Sequence, residues 1–102
     1  MLRFARPALV TTLALAGLLA GCSTVEEDKT ANWTPERIYT EARDEAQSGG
    51  YEQAVPLFEK LEGRAAGTPL AQQAQLEKAY AQYKSGEKAQ AVATLDRFMK
   101  LH

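Results

Sequence analysis

One cysteine and one histidine bound the chemistry open to this chain of 102 residues. Cys22 stands in Leu19-Ala20-Gly21-Cys22, at the end of a short apolar run, and His102 is the last residue. Nucleophilic catalysis needs a base beside the nucleophile and a third group to orient it, and a zinc-type site needs three or four ligands. Neither a Ser/His/Asp or Cys/His constellation nor a metal site is therefore expected. A lone thiol also leaves no internal disulfide. Carboxylates are plentiful, but Glu41, Asp44, Glu45 and Glu59 fall where helices would put them in solvent, without the burial that tunes a catalytic acid. The chain reads as a non-enzyme with no metal and no small-molecule substrate, its one reactive group being the Cys22 sulfur.

The residues before Cys22 say what happens to that sulfur. Arg3 and Arg6 make a basic start with no acid, Pro7 follows, and residues 8–20 are apolar apart from Thr11, Thr12 and Gly17. That run falls short of the roughly 20 residues needed to cross a bilayer. It also lacks the wet face that a core helix would show, so it reads as an export signal. Such signals usually end in an A-x-A-like site. Leu19-Ala20-Gly21-Cys22 instead resembles the lipobox of bacterial lipoproteins, which implies cleavage before Cys22, diacylglycerol on its sulfur and a further acyl chain on the new amino terminus. Several chains on one residue hold a protein to a membrane without a basic patch, whereas one chain is marginal. Ser23, where aspartate would signal retention, implies by the same resemblance delivery to the outer membrane. This covalent lipid is the only non-protein group expected.

Three segments follow: a signal peptide at residues 1–21, a lipidated start and flexible linker at 22–32, and a folded region at 33–102. Loss of the signal removes two of 12 basic side chains and none of 13 acids, leaving a net charge of −3. An acidic domain is a poor partner for nucleic acid. Residues 23–32, with Glu26, Glu27, Asp28 and Lys29 in succession, read as a solvated tether, or as an acidic recognition tail.

The folded region carries four helix patterns and no strand pattern. Thr34-Pro35 is a cap followed by proline at the first helical position, and Trp33 stands where a hydrophobic staple would meet Ile38. A lipid-interface role is the other reading of Trp33. Ile38, Tyr39, Ala42 and Ala46 keep helical spacing up to a stop at Ser48-Gly49-Gly50. A second helix is expected over residues 51–62, with Ala54, Val55, Phe58 and Leu61 on one face and Pro56 near its first turn. A loop is expected at 63–67. Thr68-Pro69 then repeats the start, and a third helix over 69–85 shows Leu70, Ala74, Leu76, Ala79, Tyr80 and Tyr83. Gly86 ends it, and a fourth helix runs over 87–102 with Ala91, Val92, Leu95, Phe98 and Met99 inward.

The two halves repeat. Gly49-Gly50-Tyr51-Glu52-Gln53-Ala54-Val55 matches Gly86-Glu87-Lys88-Ala89-Gln90-Ala91-Val92, a period of 37 residues. Helix, glycine turn, helix, with a small residue early in the second helix, resembles the tetratricopeptide repeat of about 34 residues. A plain four-helix bundle is the alternative. In the repeat alignment the first helix of each pair lines a concave groove, which places Tyr39, Arg43, Gln73, Tyr80 and Lys84 toward a ligand. Rings with cations suit an extended peptide, Arg43 or Lys84 meeting a carboxylate. Alternatively Tyr39, Tyr80 and Tyr83 serve packing.

More specific sequence is present: Ile38-Tyr39, Pro69-Leu70-Ala71-Gln72-Gln73-Ala74-Gln75-Leu76, Ala79-Tyr80-Ala81-Gln82-Tyr83-Lys84 and Leu95-Asp96-Arg97-Phe98-Met99-Lys100-Leu101. With the lipobox, these segments resemble the BamD, or ComL, family of outer-membrane assembly lipoproteins. The resemblance implies a scaffold on the periplasmic face of the outer membrane, partnered by other subunits of the β-barrel assembly machinery and by unfolded barrel precursors in the groove. Ala65-Ala66 departs from the aromatic-proline pair of many members. The family also has more repeats than the two here, so the repeat region is expected to be truncated and contacts made by later repeats do not carry over. A different repeat lipoprotein, an adaptor in envelope maintenance, cell division or pilus assembly, would share the same helices.

Overall fold

The protein is described by a computed structural model over residues 28–102. The expected signal peptide, the expected lipobox residues Leu19, Ala20 and Gly21, and the expected lipid site Cys22 lie outside the described residues. Four helices follow one another: α1 (Pro35–Gln47), α2 (Tyr51–Arg64), α3 (Pro69–Lys84) and α4 (Lys88–Leu101). Each packs on its neighbours in sequence, which gives two stacked helical hairpins of the expected tetratricopeptide type.

Local chemistry sets the boundaries. Thr34 Oγ1 accepts from the Arg37 amide at 3.1 Å, and Thr68 Oγ1 accepts from the Ala71 amide at 3.3 Å, each satisfying an amide that the helix leaves free. α1 closes with Gly49 at φ 91°, its amide bonded to the Ala46 carbonyl and that of Gly50 to the Glu45 carbonyl. α3 closes the same way through Gly86, also at φ 91°. Both are Schellman caps, which need the left-handed conformation that glycine takes without strain. At Gly50 a Cβ would be crowded, 3.2 Å from the Glu45 carbonyl oxygen and closer to its carboxylate, which would have to swing away.

The helix starts are 34 residues apart and the glycine caps 37, because α3 has 16 residues and α1 has 13. The period read from the turns thus contains three extra residues, about 0.8 of a turn, within α3.

The core joins Ile38 and Ala42 of α1 to Ala54, Phe58 and Leu61 of α2, Ala65 of the loop, and Ala74 and Ala81 of α3. Trp33 packs on this cluster with the Arg37 guanidinium 4.2 Å from its ring centre, which favours the staple over a lipid-facing role. Three expectations are corrected. α2 continues through Gly63 and Arg64, so the loop is two residues shorter. Residues 28–32, the end of the expected linker, form a turn packed on α2, with Thr30 only 5% exposed. α4 turns Ala91 and Thr94 inward with Phe98 half-buried, while Val92, Leu95 and Met99 face solvent.

α3 departs from its expected inward face for a related reason. It is covered by α2 on one side and α4 on the other, so its buried residues are Ala74, Gln75, Lys78, Ala79, Ala81 and Gln82. Leu76, Tyr80 and Tyr83 are exposed. The buried positions of α3 mix alanines with Gln75, Lys78 and Gln82, so it shows no single apolar stripe. Polar contacts complete both seams: Lys78 Nζ lies 2.7 Å from Glu62 Oε2 of α2, and Thr94 Oγ1 of α4 donates to Gln82 Oε1 at 2.7 Å.

Candidate functional site

α1 and α3 stand side by side, and Tyr39, Arg43, Gln73, Tyr80 and Lys84 lie along one strip of their surface. The strip has two halves, and a residue absent from that prediction organises the first. Glu77 of α3 receives a hydrogen bond from the Tyr39 hydroxyl at 2.5 Å and one from Gln73 Nε2 at 3.2 Å, both on Oε2. Its other oxygen is 3.6 Å from Arg43 Nε. Arg43 also lies over the Tyr39 ring, 5.6 Å from its centre, and Tyr39 packs edge-on against Phe58 at 6.4 Å. Burial, then the hydrogen bond to Glu77, pushes the Tyr39 phenol above its ordinary pKa, so the ring stays neutral and donates.

The second half is built on Tyr51, the first residue of α2. Its ring meets Tyr80 edge-on at 6.1 Å, and Lys84 Nζ lies 5.9 Å from the Tyr51 centre and 6.0 Å from that of Tyr80. Aromatic faces attract the ammonium, which stays hydrated and available. Among the described residues Lys84 has no carboxylate within 4 Å, whereas Arg43 is already engaged by Glu77. A cavity of about 220 Å³ lined by Arg43, Ala46, Gln47, Tyr51, Glu77 and Tyr80 joins the halves.

The strip can take side chains into an aromatic-walled depression, offer Lys84 to an anionic group, and offer Gln47 and Gln73 as amide partners. Three of its residues, Glu77, Tyr51 and Gln47, were missed in the sequence. Glu77 was legible as the position four after Gln73 on the same helix face. Tyr51 looked like an ordinary helix start, and nothing local placed it under Lys84.

A profile of the YfiO family, described as outer membrane lipoprotein, matches residues 31–102, which is the whole helical array and the end of the turn before it. The chain belongs to this family. Similar proteins named outer membrane protein assembly factor BamD agree with it. The chain is 43% identical over 99 residues to one from Neisseria meningitidis serogroup B, covering 92% of this chain and 37% of that protein. It is 40% identical to one from Neisseria gonorrhoeae with the same coverage. It is 36% identical over 93 residues to one from Vibrio cholerae, covering 86% of this chain and 38% of the relative. The chain thus spans a little over a third of the length of these family members. The family resemblance carried by the α3 and α4 segments is borne out.

Proposed function

We infer that this YfiO-family chain is a lipid-anchored binding scaffold that helps assemble β-barrel proteins at the outer membrane. The observation that carries the reading is the open strip of Tyr39, Tyr51 and Tyr80 with an uncommitted Lys84, on a helical array whose relatives are named assembly factors. Such a surface suits an extended, partly apolar segment, which is what an unfolded barrel precursor offers. It works by binding rather than by catalysis. Other subunits of the assembly machinery are its further partners. Acyl chains on Cys22 hold it to the membrane on the periplasmic side, and that lipid is its one non-protein group.

Two measurements test this. Cys22→Ala is expected to leave the helices intact and move the protein from the membrane to the soluble fraction; a variant that still sediments with membranes removes the lipid from the reading. Lys84→Ala with Arg43→Ala is expected to weaken binding of barrel-derived peptides about tenfold at low salt, Lys84 carrying most of the effect because Glu77 already holds Arg43. Unchanged affinity ends the peptide-strip assignment. Recovery of a barrel subunit with the protein from solubilised outer membranes separates barrel assembly from another envelope adaptor.

A further inference from the structure

The turn before α1 is fastened to the end of α2 by one guanidinium. Arg64 Nη1 donates to the Thr30 carbonyl and to the Trp33 carbonyl at 3.3 Å, and Nη2 donates to Thr30 Oγ1 at 3.0 Å and pairs with Asp28 Oδ2 at 3.1 Å. Lys60 Nζ, one turn earlier on α2, holds the other Asp28 oxygen at 2.9 Å. That oxygen also accepts from the Thr30 amide and hydroxyl at 2.9 and 2.7 Å, and the backbone closes through Ala31 on Asp28 and Trp33 on Thr30. Three residues, Asp28, Thr30 and Trp33, thus satisfy nearly every donor of one arginine. A solvated linker would give those groups to water.

We propose that residues 28–33 are a latch that docks the tether on α2 and turns the α1-start, α2-end pole of the array toward the membrane anchor. The consequence rests on the lipid reading of Cys22 and follows from lengths. With the latch closed, the leash from Cys22 to Asp28 can reach at most about 20 Å. With it open, the leash from Cys22 to Trp33 can reach at most about 40 Å. α1 is about 20 Å long. An open leash therefore lets either pole reach the lipid, whereas a closed one favours the pole that carries Trp33. In that posture the Tyr39 and Gln73 end of the strip stands nearest the membrane and the Tyr51 and Lys84 end farthest from it.

Trp33 is the only tryptophan and sits at the anchored pole, and Gln90, exposed near the start of α4, sits at the other. Energy transfer from tryptophan to dansyl-headgroup lipid in phosphatidylethanolamine/phosphatidylglycerol vesicles therefore reports the posture. The protein is anchored by its own lipid or, in a parallel preparation, by a maleimide phospholipid coupled to Cys22. Transfer from Trp33 is expected to exceed, at least twofold, transfer from the variant carrying Trp33→Phe and Gln90→Trp. Adding Asp28→Ala or Arg64→Gln to both proteins is expected to erase the difference. Equal transfer without the latch substitutions, or a difference that survives them, overturns the proposal. Tryptic cleavage after Lys29 supplies a readout that needs no membrane, with circular dichroism confirming that the helices persist. Asp28→Ala, which changes only an exposed side chain, should speed cleavage about tenfold, and an unchanged rate overturns the latch. If only the maleimide-anchored protein reaches the vesicles and shows the posture, the natural lipid fails and the latch stands.

Discussion

At Asp28 one side chain controls how the chain enters the fold, and its charge can be titrated. The Thr30 hydroxyl first, and then Lys60, hold its carboxyl far below the ordinary value of 3.8. A native pKa lowered in this way means stabilisation that is present above 3.8 and is lost as the pH falls through the native value. The turn is therefore expected to stay closed at pH 5 and to open only in strong acid. Trp33 fluorescence checks this: emission constant from pH 8 to 5 and changing below about 3 agrees, and a midpoint near 5 contradicts it. Asp28-Lys29-Thr30 was legible as charge alone. An aspartate with threonine two positions on is also the pattern of a side-chain turn, but the arginine that completes it lies 36 residues away in α2, beyond any local pattern.

Helix starts and stops were readable to within two residues because α1 and α3 carry their own chemistry, threonine with proline at the start and glycine after the stop, and α2 and α4 begin directly after those glycine turns. Helix faces were readable where apolar side chains fill the seam. α1 and α2 bury Ile38, Ala42, Ala54, Phe58 and Leu61 as their spacing requires, whereas α3 makes its seams with α2 and α4 partly through polar side chains, Lys78 and Gln82. Periodicity cannot announce a buried lysine whose partner is on another helix. Lys78 is 4% exposed and pairs with Glu62, whose side chain keeps 23% of its surface. Removing one member of a buried pair leaves the other uncompensated, and partial exposure of Glu62 softens that cost. Lys78→Met is expected to destabilise the fold by about 2 kcal/mol, and combining it with Glu62→Leu to recover most of the loss. Urea unfolding of both variants provides the check, and a double variant no better than the single one contradicts the account.

The array as a whole is unevenly covered. Leu76, Ala79, Tyr83, Ala91, Val92 and Leu95 line an apolar hollow of about 450 Å³ on the outer side of α3 and α4. Thirty-seven positions earlier stand Tyr39, Ala42, Ala46, Ala54, Val55 and Phe58, all packed into or against the core with Ala74 and Ala81 of α3. The second hairpin therefore repeats a surface that the first has covered, and among the described residues nothing covers it. Repeat arrays are stable when such faces are stacked or capped. The chain of 102 residues is thus expected to be marginally stable or to self-associate. Sedimentation together with thermal circular dichroism tests this. Association that falls when Val92→Lys and Leu95→Lys are introduced supports it, and a cooperative melt of a monomer contradicts it.

α3 outlasts α1 by three residues, about 4.5 Å of helix. Counted from the two threonine caps, Lys84 matches Gly50, so it stands above the point where α1 has already ended. That overhang is what lets its ammonium lean over Tyr51. The strip's uncommitted charge is thus encoded in a helix length rather than in a residue choice. Shortening α3 between Tyr80 and Lys84 would withdraw the cation, but it would also remove Ala81 from the core and Gln82 from its hydrogen bond with Thr94, so the overhang and the seam with α4 rest on the same residues.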